Sequence, residues 1–567
     1  MAAGLLEIAA LCRFGGLPKF KVRAYERAAR IVATLGDGLG SVVERNGLRE
    51  FSGIGDALSR QIHELWNTGS SELLSRLRHE CPPGAAELVH VEGMTPRRIR
   101  ALSDALGVRS VAELRTACLA GQVRDVGGFG VRTESRLLAA AERWLGRSGE
   151  PPRPLIRAHA LDLTAELVRH VAAVVAEVHP AGALRRGDDT VEALALVVRG
   201  DLDAVWRELQ RWRQVVRVDA HQNLAQLSAG VPLRLYPAEP SLGNALFLAT
   251  GDAAHVEGVR ARARARGFEL AGAPNPSQEL PARIFASETE LYAAIDLAAV
   301  PPELRQGNGE LERAQHDDFS DLVDASHIRG LVHCHTVYSD GKHTIAEMAE
   351  AAHALGMQYI TITDHSPSAR YANGVDLDRL KQQWDEIAAA QERLPIRILR
   401  GTESDILADG SLDYPPDVLE QFDVIIASIH ARHRQDGQQM TERLVRALSM
   451  PVFKIWGHGL GRILNHRAPI DCDVPAVLDA LASSRGAIEL NGDPHRLDLP
   501  ETWIPAARER GIPFVISVDA HSTRGFRALA HGVTLARRGG VRRSEVLNAR
   551  STAEFAAIVK PIGGGHS

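Results

Sequence analysis

The sequence has no long apolar run, few cysteines and no excess of basic residues. None of its 567 residues lies in a stretch approaching the roughly 18 apolar residues that span a bilayer, so we expect no membrane-spanning helix. Five scattered cysteines, an odd number, argue against a disulfide framework and for a cytoplasmic protein. A net charge of −5 excludes a globally basic nucleic-acid-binding protein, so any binding of DNA must be local. The length predicts several domains.

Histidine, in contrast, is concentrated late in the chain, where 14 of the 23 histidines lie from His327 onward. Several follow apolar or β-branched runs, since YITIT precedes Asp364 and His365, VIIASI precedes His430, and FVISV precedes Asp519. Parallel strands that end in such residues bring them to one rim of a sheet or barrel, where active sites are built. The full set is His333, His335, Asp340, Asp364, His365, Glu403, His430, His458, Asp519 and His521. Imidazole and carboxylate at this density predict a multinuclear metal centre.

The pattern along the chain predicts a helical start, a mixed middle and an alternating end. Residues 1 to about 150 are typical of short helices separated by glycine-containing turns, and a mixed α/β stretch runs from about 155 to 312. The segment NGELERAQHDDFSDLVDASH is then interpreted as a polar connection. From about 328 strands and helices alternate, which predicts a barrel or a layered parallel sheet.

A short turn pattern, hydrophobic-x-Gly-hydrophobic-Gly, recurs three times near the N-terminus, at residues 51–55, 91–95 and 126–130. The second copy has Thr95 in place of the last glycine. Bare backbone at a helix N-terminus can approach a phosphate closely, whereas glycines that only end helices would give the same pattern. Threefold repetition favours phosphate binding. The candidate DNA-binding residues in these turns are Gly53, Gly55, Gly93, Gly128 and Gly130.

A local basic patch in KFKVRAYERAAR lies in the same region. Its Lys19, Lys21 and Arg23 are further candidates for contact with a DNA backbone, although a solvated helix face explains them equally well. The turns themselves resemble helix-hairpin-helix motifs, which grip phosphates without reading the base sequence. The N-terminal region is therefore predicted to bind DNA by contacting the phosphate backbone of the DNA.

Along nearly its whole length the chain resembles the bacterial family X DNA polymerases, which join a small polymerase core to a C-terminal polymerase-and-histidinol-phosphatase (PHP) domain. The resemblance is carried by KFKVRAYERAA, the three turns, GALRRG at 182–187, ATG at 249–251 and PPELRQGNGELERA. It implies a multidomain fold with a helix-hairpin-helix N-terminal region, an α+β nucleotidyltransferase-like palm and thumb, and a C-terminal α/β distorted (β/α)7 PHP barrel. The implied parts are a helical DNA-binding part (1–85), a fingers-like helix-hairpin-helix part (86–150), a degenerate palm (151–238), a thumb-like part (239–312), a linker (313–327) and the PHP domain (328–567).

The palm departs from the family pattern at the residues that hold metal. The family motif is Gly-Ser-x-Arg-Arg, then Glu-Thr-x-x-Asp-x-Asp, with a third Asp on a later strand. The matching residues here are Gly182, Arg185, Arg186, Asp189 and Thr190, with Ala193, Ala195 and Arg234 at the three aspartates. Two-metal nucleotidyl transfer needs carboxylates to hold both cations, so polymerase activity is predicted to be absent. The nearby Asp201 and Asp203 are interpreted as the first turn of a helix, and nucleotide binding by the palm stays open.

The PHP resemblance, by contrast, is complete at the positions that carry chemistry. It implies nine metal ligands and three divalent ions. One ion would be held by His333, His335, Glu403 and Asp519, a second by Glu403, His430 and His458, and a third by Asp340, His365 and His521. Ligands of this kind suit Mn²⁺, Zn²⁺ or Fe²⁺ better than Mg²⁺, and the family favours Mn²⁺.

Other residues near these ligands are assigned supporting roles. Arg462, Arg467 or Arg496 could neutralise a scissile phosphate, although each could instead be a structural arginine. Asp364 and Asp405 are predicted to orient ligand imidazoles. Cys334, between two ligand histidines, should face the core. His433 and His495 are further candidates to line the site.

The predicted function is a DNA-binding, metal-dependent phosphoesterase. The resemblance implies a Mn²⁺-dependent 3′→5′ exonuclease in DNA repair, with action at abasic sites or on 3′-phosphates as variants of the same chemistry. One alternative is a small-molecule phosphatase of the histidinol-phosphate type, against which the three retained turns argue. Another is a non-catalytic protein that binds DNA ends, against which the nine intact ligands argue.

Overall fold

The computed structural model describes residues 2–35, 39, 42–43, 47–51, 54–68, 71–147, 154–212, 215–227, 231–276, 279–431 and 435–561. The chain forms two compact units. The first comprises Met1–Arg153 with the short segments Gln210–Arg217 and Leu227–Gly230, and the second holds the rest. Within the described ranges, no helix is both long and apolar enough to cross a membrane.

The first unit is helical, as predicted. Its helices are Ala2–Phe14, Lys19–Leu35, Asp56–Thr68, Glu72–Glu80, Ala85–Leu88, Pro96–Leu106, Val111–Leu119 and Val131–Arg147, with 3₁₀ turns at Gly47–Glu50 and Val123–Asp125. Side chains from almost every helix share one apolar core, which runs from Leu5 to Ala141. The short helices begin at side-chain caps; for example, Ser71 accepts from the amide of Leu74 and Ser110 from that of Glu113.

The predicted turns share one geometry. In each, the amide of the fourth residue donates to the carbonyl of the first at 3.0 Å, as from Met94 to Val91. Gly93 and Gly128 hold φ values of 86° and 89°, which a type II turn requires at its third position and which glycine adopts without strain. Gly53 lies outside the described residues. Gly55, Thr95 and Gly130 each accept the first bond of the following helix at 2.9 Å, so the three copies are built alike.

A five-stranded mixed sheet lies largely in the second unit. In spatial order its strands are Glu177–Ala181, Leu194–Arg199, Pro232–Pro237, Leu224–Leu227 and Val215–Asp219. Leu194–Arg199 pairs antiparallel with the first of these and parallel with Pro232–Pro237, and its apolar run LALVV is buried throughout. The accompanying helices are Arg157–Val171, Gly182–Arg186 and Leu202–Leu209, and a small ladder joins Leu155–Ile156 to Thr190–Val191. Asp201 accepts from the amide of Asp203 at 2.9 Å, which confirms the predicted helix start.

The next part of the second unit has its own core. Its elements are the helices Leu242–Thr250, Ala253–Ala265, Glu288–Ala293 and Glu310–Arg313 and the short strands Glu269–Leu270 and Ala282–Arg283. A polar network crosses this core. His255 lies 2.5 Å from Glu310 and 2.7 Å from the hydroxyl of Tyr292, all three buried.

The segment interpreted as a polar connection, which contains the predicted linker over 313–327, is packed and not loose. Phe319, Leu322 and Val323 are buried, and Leu322 bridges to Arg542. Asp317 lies 3.2 Å from the guanidinium of Arg542 and extends the same contact. The apolar residues are spaced among charges, and Leu322 and Val323 find partners at Arg542 and Val541, more than 200 positions away, so the local sequence does not show that the segment is buried.

Seven parallel strands then form a barrel, as the alternating pattern predicts. In chain order they are Gly330–Cys334, Tyr359–Ile362, Arg397–Asp405, Val424–Ser428, Lys454–Trp456, Gly486–Asn491 and Phe514–Ser517, and each pairs with the next. The outer helices are Ile345–Ala354, Leu377–Gln391, Pro416–Leu419, Gly437–Leu448, Val474–Ala482, Ile504–Glu509 and Leu529–Arg538. After the seventh strand, the amide of Ala520 donates to His333 and its carbonyl accepts from His335, so the ring is nearly closed.

Side chains alternate across the barrel wall. Ile360 and Ile362 face the outer helices, whereas Tyr359 faces the interior with other apolar residues. The helix Thr552–Val559 closes the amino-terminal end of the barrel, where the ring of Phe555 stacks 4.7 Å from that of Tyr359. A Cβ on Gly330 would lie 2.1 Å from the Tyr359 ring, so this approach needs glycine. The closed end leaves the carboxyl ends of the strands as the open mouth.

Candidate metal centre

The first barrel strand delivers two imidazoles to the mouth. Its register slips between Leu331 and Cys334, which is a β-bulge, and His333 within it has φ of 70°. His333 and His335 are both fully buried with ring centroids 5.2 Å apart. Cys334 joins the apolar layer between the barrel and the helices, which confirms that it faces the core.

Glu403 lies at the centre of the site and is buried. Its Oε1 is 2.9 Å from His458 Nε2 and 3.3 Å from Nε2 of both His333 and His430. Its Oε2 is 2.9 Å from His365 Nδ1. Imidazoles from the first, second, fourth and fifth strands therefore converge on the carboxylate that the third strand carries.

A second group of ligand atoms lies beside the first. His521 Nε2 is 3.1 Å and His365 Nε2 is 3.6 Å from Oδ1 of Asp340. His335 Nε2 is 3.1 Å from Oδ1 of Asp519. The four sets that could each hold one ion are His335, Asp340, His365 and His521; His333, Glu403 and His458; His333, His335 and Asp519; and His365, Glu403 and His430.

The ring nitrogens and carboxylate oxygens of these sets suit metal ions, because several of them are buried without a hydrogen bond. They are Nε2 of His333, both ring nitrogens of His335, Nδ1 of His365, Oε2 of Glu403 and Oδ1 of Asp519. Buried polar atoms are rarely left unsatisfied, and each exception calls for an explanation. Nitrogen and carboxylate oxygen atoms that converge in this way are the ligands of divalent transition metals. All nine residues predicted as ligands belong to these four sets, and how they divide among ions stays a prediction.

The site is a tightly coupled set of charges. Burial alone would raise the pKa of Glu403, but His430, His333 and His365 hold it well below its usual value. Burial opposes protonation of His430, yet Glu403 and Asp405 raise its pKa to about 10. His335 differs, because burial and the neighbouring His365 lower its pKa to about 4. Carboxylates that remain ionised at this depth favour cations between them.

Glu489 supports the site and was missed by the sequence analysis. It is fully buried on the sixth strand, with Oε1 2.5 Å from His333 Nδ1, and it also accepts from the amide of His458 and the hydroxyl of Ser517. It therefore fixes the ring whose Nε2 faces Glu403. Its position after the short apolar run GAI, near the end of its strand, is a weaker form of the strand-end signal that marked the candidate ligands.

We expect Glu489→Gln to weaken metal binding by roughly 10- to 100-fold, because an amide cannot hold His333 in the same protonation state and orientation. Competition with a metal chelator measures this affinity without any substrate. The matched control is Glu509→Gln, which changes an exposed glutamate on the helix Ile504–Glu509. Equal affinities for the two variants would contradict the role given to Glu489.

The two predicted orienting carboxylates have different roles. Asp405 Oδ1 lies 2.7 Å from His430 Nδ1, so it orients a ligand imidazole as predicted. Asp364 touches no ligand imidazole; it accepts from the amide of Thr336 at 2.7 Å and from the side chains of Ser339 and Gln383. The side chain of Asp364 turns away from the mouth, and its contacts with Thr336 and Ser339 fix the loop that leads to Asp340.

The three predicted phosphate-binding arginines are also in different environments. The guanidinium of Arg462 is directed at Asp189 and at two backbone carbonyls, so Arg462 has a structural role. Arg467 is exposed and donates to the carbonyl of Gly461 at 2.8 Å. Arg496 reaches the site, with Nε 3.7 Å from Asp519 Oδ2. His495 is exposed, and His433 lies outside the described residues.

The residues aligned with the polymerase aspartates also lie together. Ala195 pairs with Arg234 in the parallel register of two neighbouring strands. A Cβ on Gly182 would lie 3.1 Å from that of Ala195, so the surface there is built of small side chains. Over the described ranges, every cluster of three or more metal-binding side chains is in the barrel.

Lys19, Lys21 and Arg23 are exposed on the helix Lys19–Leu35. Their role in DNA binding stays a prediction, as does that of the turn glycines. Gly93 and Gly128 are exposed, so the turns present backbone to solvent.

Two families match parts of the chain. The PHP domain family matches residues 332–491, and the SAM-like helix-hairpin-helix tandem family matches residues 85–143. The first range includes the candidate ligands from His333 to His458. The second includes the turns at 91–95 and 126–130.

The chain is also similar to characterised and uncharacterised relatives. It is 34% identical over 569 residues to the DNA polymerase/3′-5′ exonuclease PolX of Bacillus subtilis (strain 168), a match that covers 98% of each chain. It is 27% identical over 228 residues to a probable phosphatase of Thermoanaerobacter sp. (strain X514), covering 38% of this chain and 88% of that one. A probable phosphatase of Caldanaerobacter subterraneus is 29% identical over 201 residues, covering 33% and 74%.

Proposed function

The chain belongs to the family of bacterial X-type DNA polymerases that carry a C-terminal PHP domain, and we propose that it acts as a metal-dependent 3′→5′ exonuclease rather than as a polymerase. The observation that carries this proposal is the contrast between the two possible centres. The barrel mouth holds a complete set of nine imidazoles and carboxylates, several with buried atoms that lack a hydrogen bond. The palm has Ala193, Ala195 and Arg234 at the positions of its carboxylates.

The side chains at the mouth would have different roles in phosphodiester hydrolysis. The nine ligands would hold up to three divalent ions; imidazole with carboxylate suits Mn²⁺, Zn²⁺ or Fe²⁺, and the family resemblance favours Mn²⁺. Ions bound there supply positive charge to phosphoryl oxygens and acidify water. Arg496, beside Asp519, is placed to contact a phosphoryl oxygen from the rim. Glu489 and Asp405 keep the ligand rings oriented while substrate binds.

An exposed tyrosine at the rim suits a nucleic-acid substrate. The ring of Tyr371 lies 6.0 Å from that of His365 and 6.1 Å from that of His430, and Tyr371 is 69% exposed. Stacking of a base on an exposed aromatic ring is worth about 1–3 kcal/mol and tolerates any base. Tyr371 therefore supports an unpaired terminal nucleotide as the group held next to the metal ligands.

The three hairpin turns would bring DNA to this centre. Each presents a turn and a helix N-terminus in the same geometry, which is suited to phosphate oxygens rather than to base edges. Lys19, Lys21 and Arg23 would add charge. The expected partner is DNA bound through its backbone without sequence preference, and the cellular role is DNA repair, including work at abasic sites or 3′-phosphates.

A small-molecule phosphatase is the second candidate, because two of the relatives that match about a third of the chain are named probable phosphatases. The hairpin turns weigh against it, since hydrolysis of a small phosphate ester needs no DNA-binding region.

The test uses duplex DNA with a recessed 3′ end and a label on the 5′ end, incubated with Mn²⁺. We expect stepwise shortening from the 3′ end, because the labelled 5′ end is retained while nucleotides leave. His333→Ala should abolish the shortening, whereas His353→Ala, which changes an exposed histidine on the helix Ile345–Ala354, should preserve it. Intact DNA together with rapid release of phosphate from histidinol phosphate would instead establish the second candidate.

A further inference from the structure

A loop of the degenerate palm lies directly against the PHP barrel within the second unit. Residues 187–189 follow the helix Gly182–Arg186 and approach the barrel helix Leu529–Arg538. Gly187 has φ of 75°, and a Cβ there would lie 2.3 Å from Cγ2 of Thr534. Only glycine permits this approach, so the close contact between palm and barrel is built into the sequence.

Two aspartates of this loop contact the barrel: Asp188 lies 3.4 Å from Arg538, and Asp189 contacts both Arg538 and Arg462. Asp189 Oδ2 accepts from Arg462 Nη2 at 2.6 Å, and its Oδ1 accepts from Arg538 Nη1 at 3.2 Å. Its side chain is 13% exposed and that of Arg462 11%, so water screens this pair little. The motif of the polymerase family has its Glu-Thr pair at this place, and here the carboxylate is used by another domain.

Arg462 connects Asp189 to the segment 496–498. Its Nε donates to the carbonyl of Arg496 at 2.9 Å and its Nη2 to that of Leu497, while its own amide donates to Oδ2 of Asp498 at 3.1 Å. Asp498 is fully buried, and its carbonyl accepts from the amide of Asn491 at 2.5 Å. One guanidinium thus fixes two consecutive backbone carbonyls, those of Arg496 and Leu497.

This segment carries the arginine that reaches the metal centre. Arg496 Nε lies 3.7 Å from Oδ2 of the ligand Asp519 and 3.9 Å from Asp493. Asn491, to which the segment is bonded, ends the strand that carries Glu489. The path from the palm to the mouth therefore consists of hydrogen bonds as far as the segment 496–498 and of the ion pair between Arg496 and Asp519 at its end.

We infer that Asp189 is a positioning residue for the PHP centre: the palm, without its own carboxylates, holds through Arg462 the segment that aims Arg496 at the substrate phosphate. This inference rests on the proposed exonuclease. Loss of the carboxylate would leave the Arg462 guanidinium to seek another acceptor, and the segment would lose its fixed place. Displacement of a charge-bearing group by about 1 Å can lower a rate by up to about 10²-fold, so an effect of about tenfold is expected for one indirect contact.

The test compares Asp189→Asn with Asp203→Asn, which changes an exposed aspartate of the same palm. In the full chain with Mn²⁺, Asp189→Asn should lower kcat for DNA hydrolysis about tenfold, with less than a twofold change in KM and unchanged metal content. Asp189→Glu should recover part of the loss. Amide hydrogen exchange should accelerate at residues 496–499 in Asp189→Asn and nowhere else in the barrel. The control should match the wild type in all four measurements.

Identical rates and identical exchange in the two variants would overturn the inference. If the wild-type chain does not hydrolyse DNA, the proposed function fails, and hydrogen exchange at 496–499 alone decides whether Asp189 holds the segment. If Asp189→Asn loses protection throughout the palm, Arg462→Lys takes its place in the comparison. Lysine keeps the charge beside Asp189 but lacks the fork that holds two carbonyls, so the same local exchange is expected.

Discussion

Replacement of Glu403 by Gln is expected to lower the rate of DNA hydrolysis on the order of 10³-fold, since a metal centre supplies several kcal/mol of stabilisation to the transition state. Glu403 is the buried carboxylate on which His333, His365, His430 and His458 converge. Glutamine has the same shape but no charge, and its amide nitrogen would face an imidazole instead of an ion. The loss should therefore appear in kcat and in bound metal together.

Release of nucleotides from 3′-labelled DNA measures the rate, and elemental analysis of the purified protein measures the metal. Glu442→Gln is the matched control, because it changes an exposed glutamate on the barrel helix Gly437–Leu448. A Glu403→Gln protein that retains more than a tenth of the wild-type rate would show that hydrolysis does not depend on this centre.

The second large effect is the absence of DNA synthesis. We expect no extension of a primer by the chain with any deoxynucleotide mixture, in Mg²⁺ or Mn²⁺. Ala195 offers no ligand, and Arg234, its partner in the strand register, places a cation where a metal ion would have to bind. Glu192, exposed in the bend before the strand Leu194–Arg199, is a single carboxylate where two-metal transfer needs several.

Primer extension is best measured in the Glu403→Gln background, so that degradation does not conceal synthesis. The PolX relative from Bacillus subtilis, under the same conditions, provides the reference for detection. Any template-directed product from this chain would mean that other residues hold the catalytic ions, and the palm would have to be assigned an active role.

The strand-end pattern predicted the metal centre well because it depends on topology alone. In parallel strands, residues that follow the last apolar position meet at one rim whatever the detailed packing. His365, His430 and Asp519 were found in this way, and Glu489 carries a weaker form of this signal after GAI, near the end of its strand. Glu489 was missed because a single carboxylate after an apolar run is common, and only its contact with His333 gives it meaning.

Partners distant in sequence could not be predicted from the residues themselves. Arg462 follows His458 closely, so its place beside the substrate was a reasonable hypothesis, yet its acceptor Asp189 is 273 positions away. The charged segment around Phe319 was interpreted as a polar connection, because the distant partners of Leu322 and Val323 are not visible in the local sequence. A polar residue has many possible partners, and the fold selects among them only when distant elements meet.

The helix Thr552–Val559, which closes the amino-terminal end of the barrel, links completion of the barrel interior to a segment that follows the last strand. A ribosome releases the N-terminal helices, then the palm, then the barrel strands, and this helix follows the last of them. Phe555 cannot stack on Tyr359 until residue 555 itself has left the exit tunnel. This end of the barrel can therefore close only after residues 330–559 have all been synthesised.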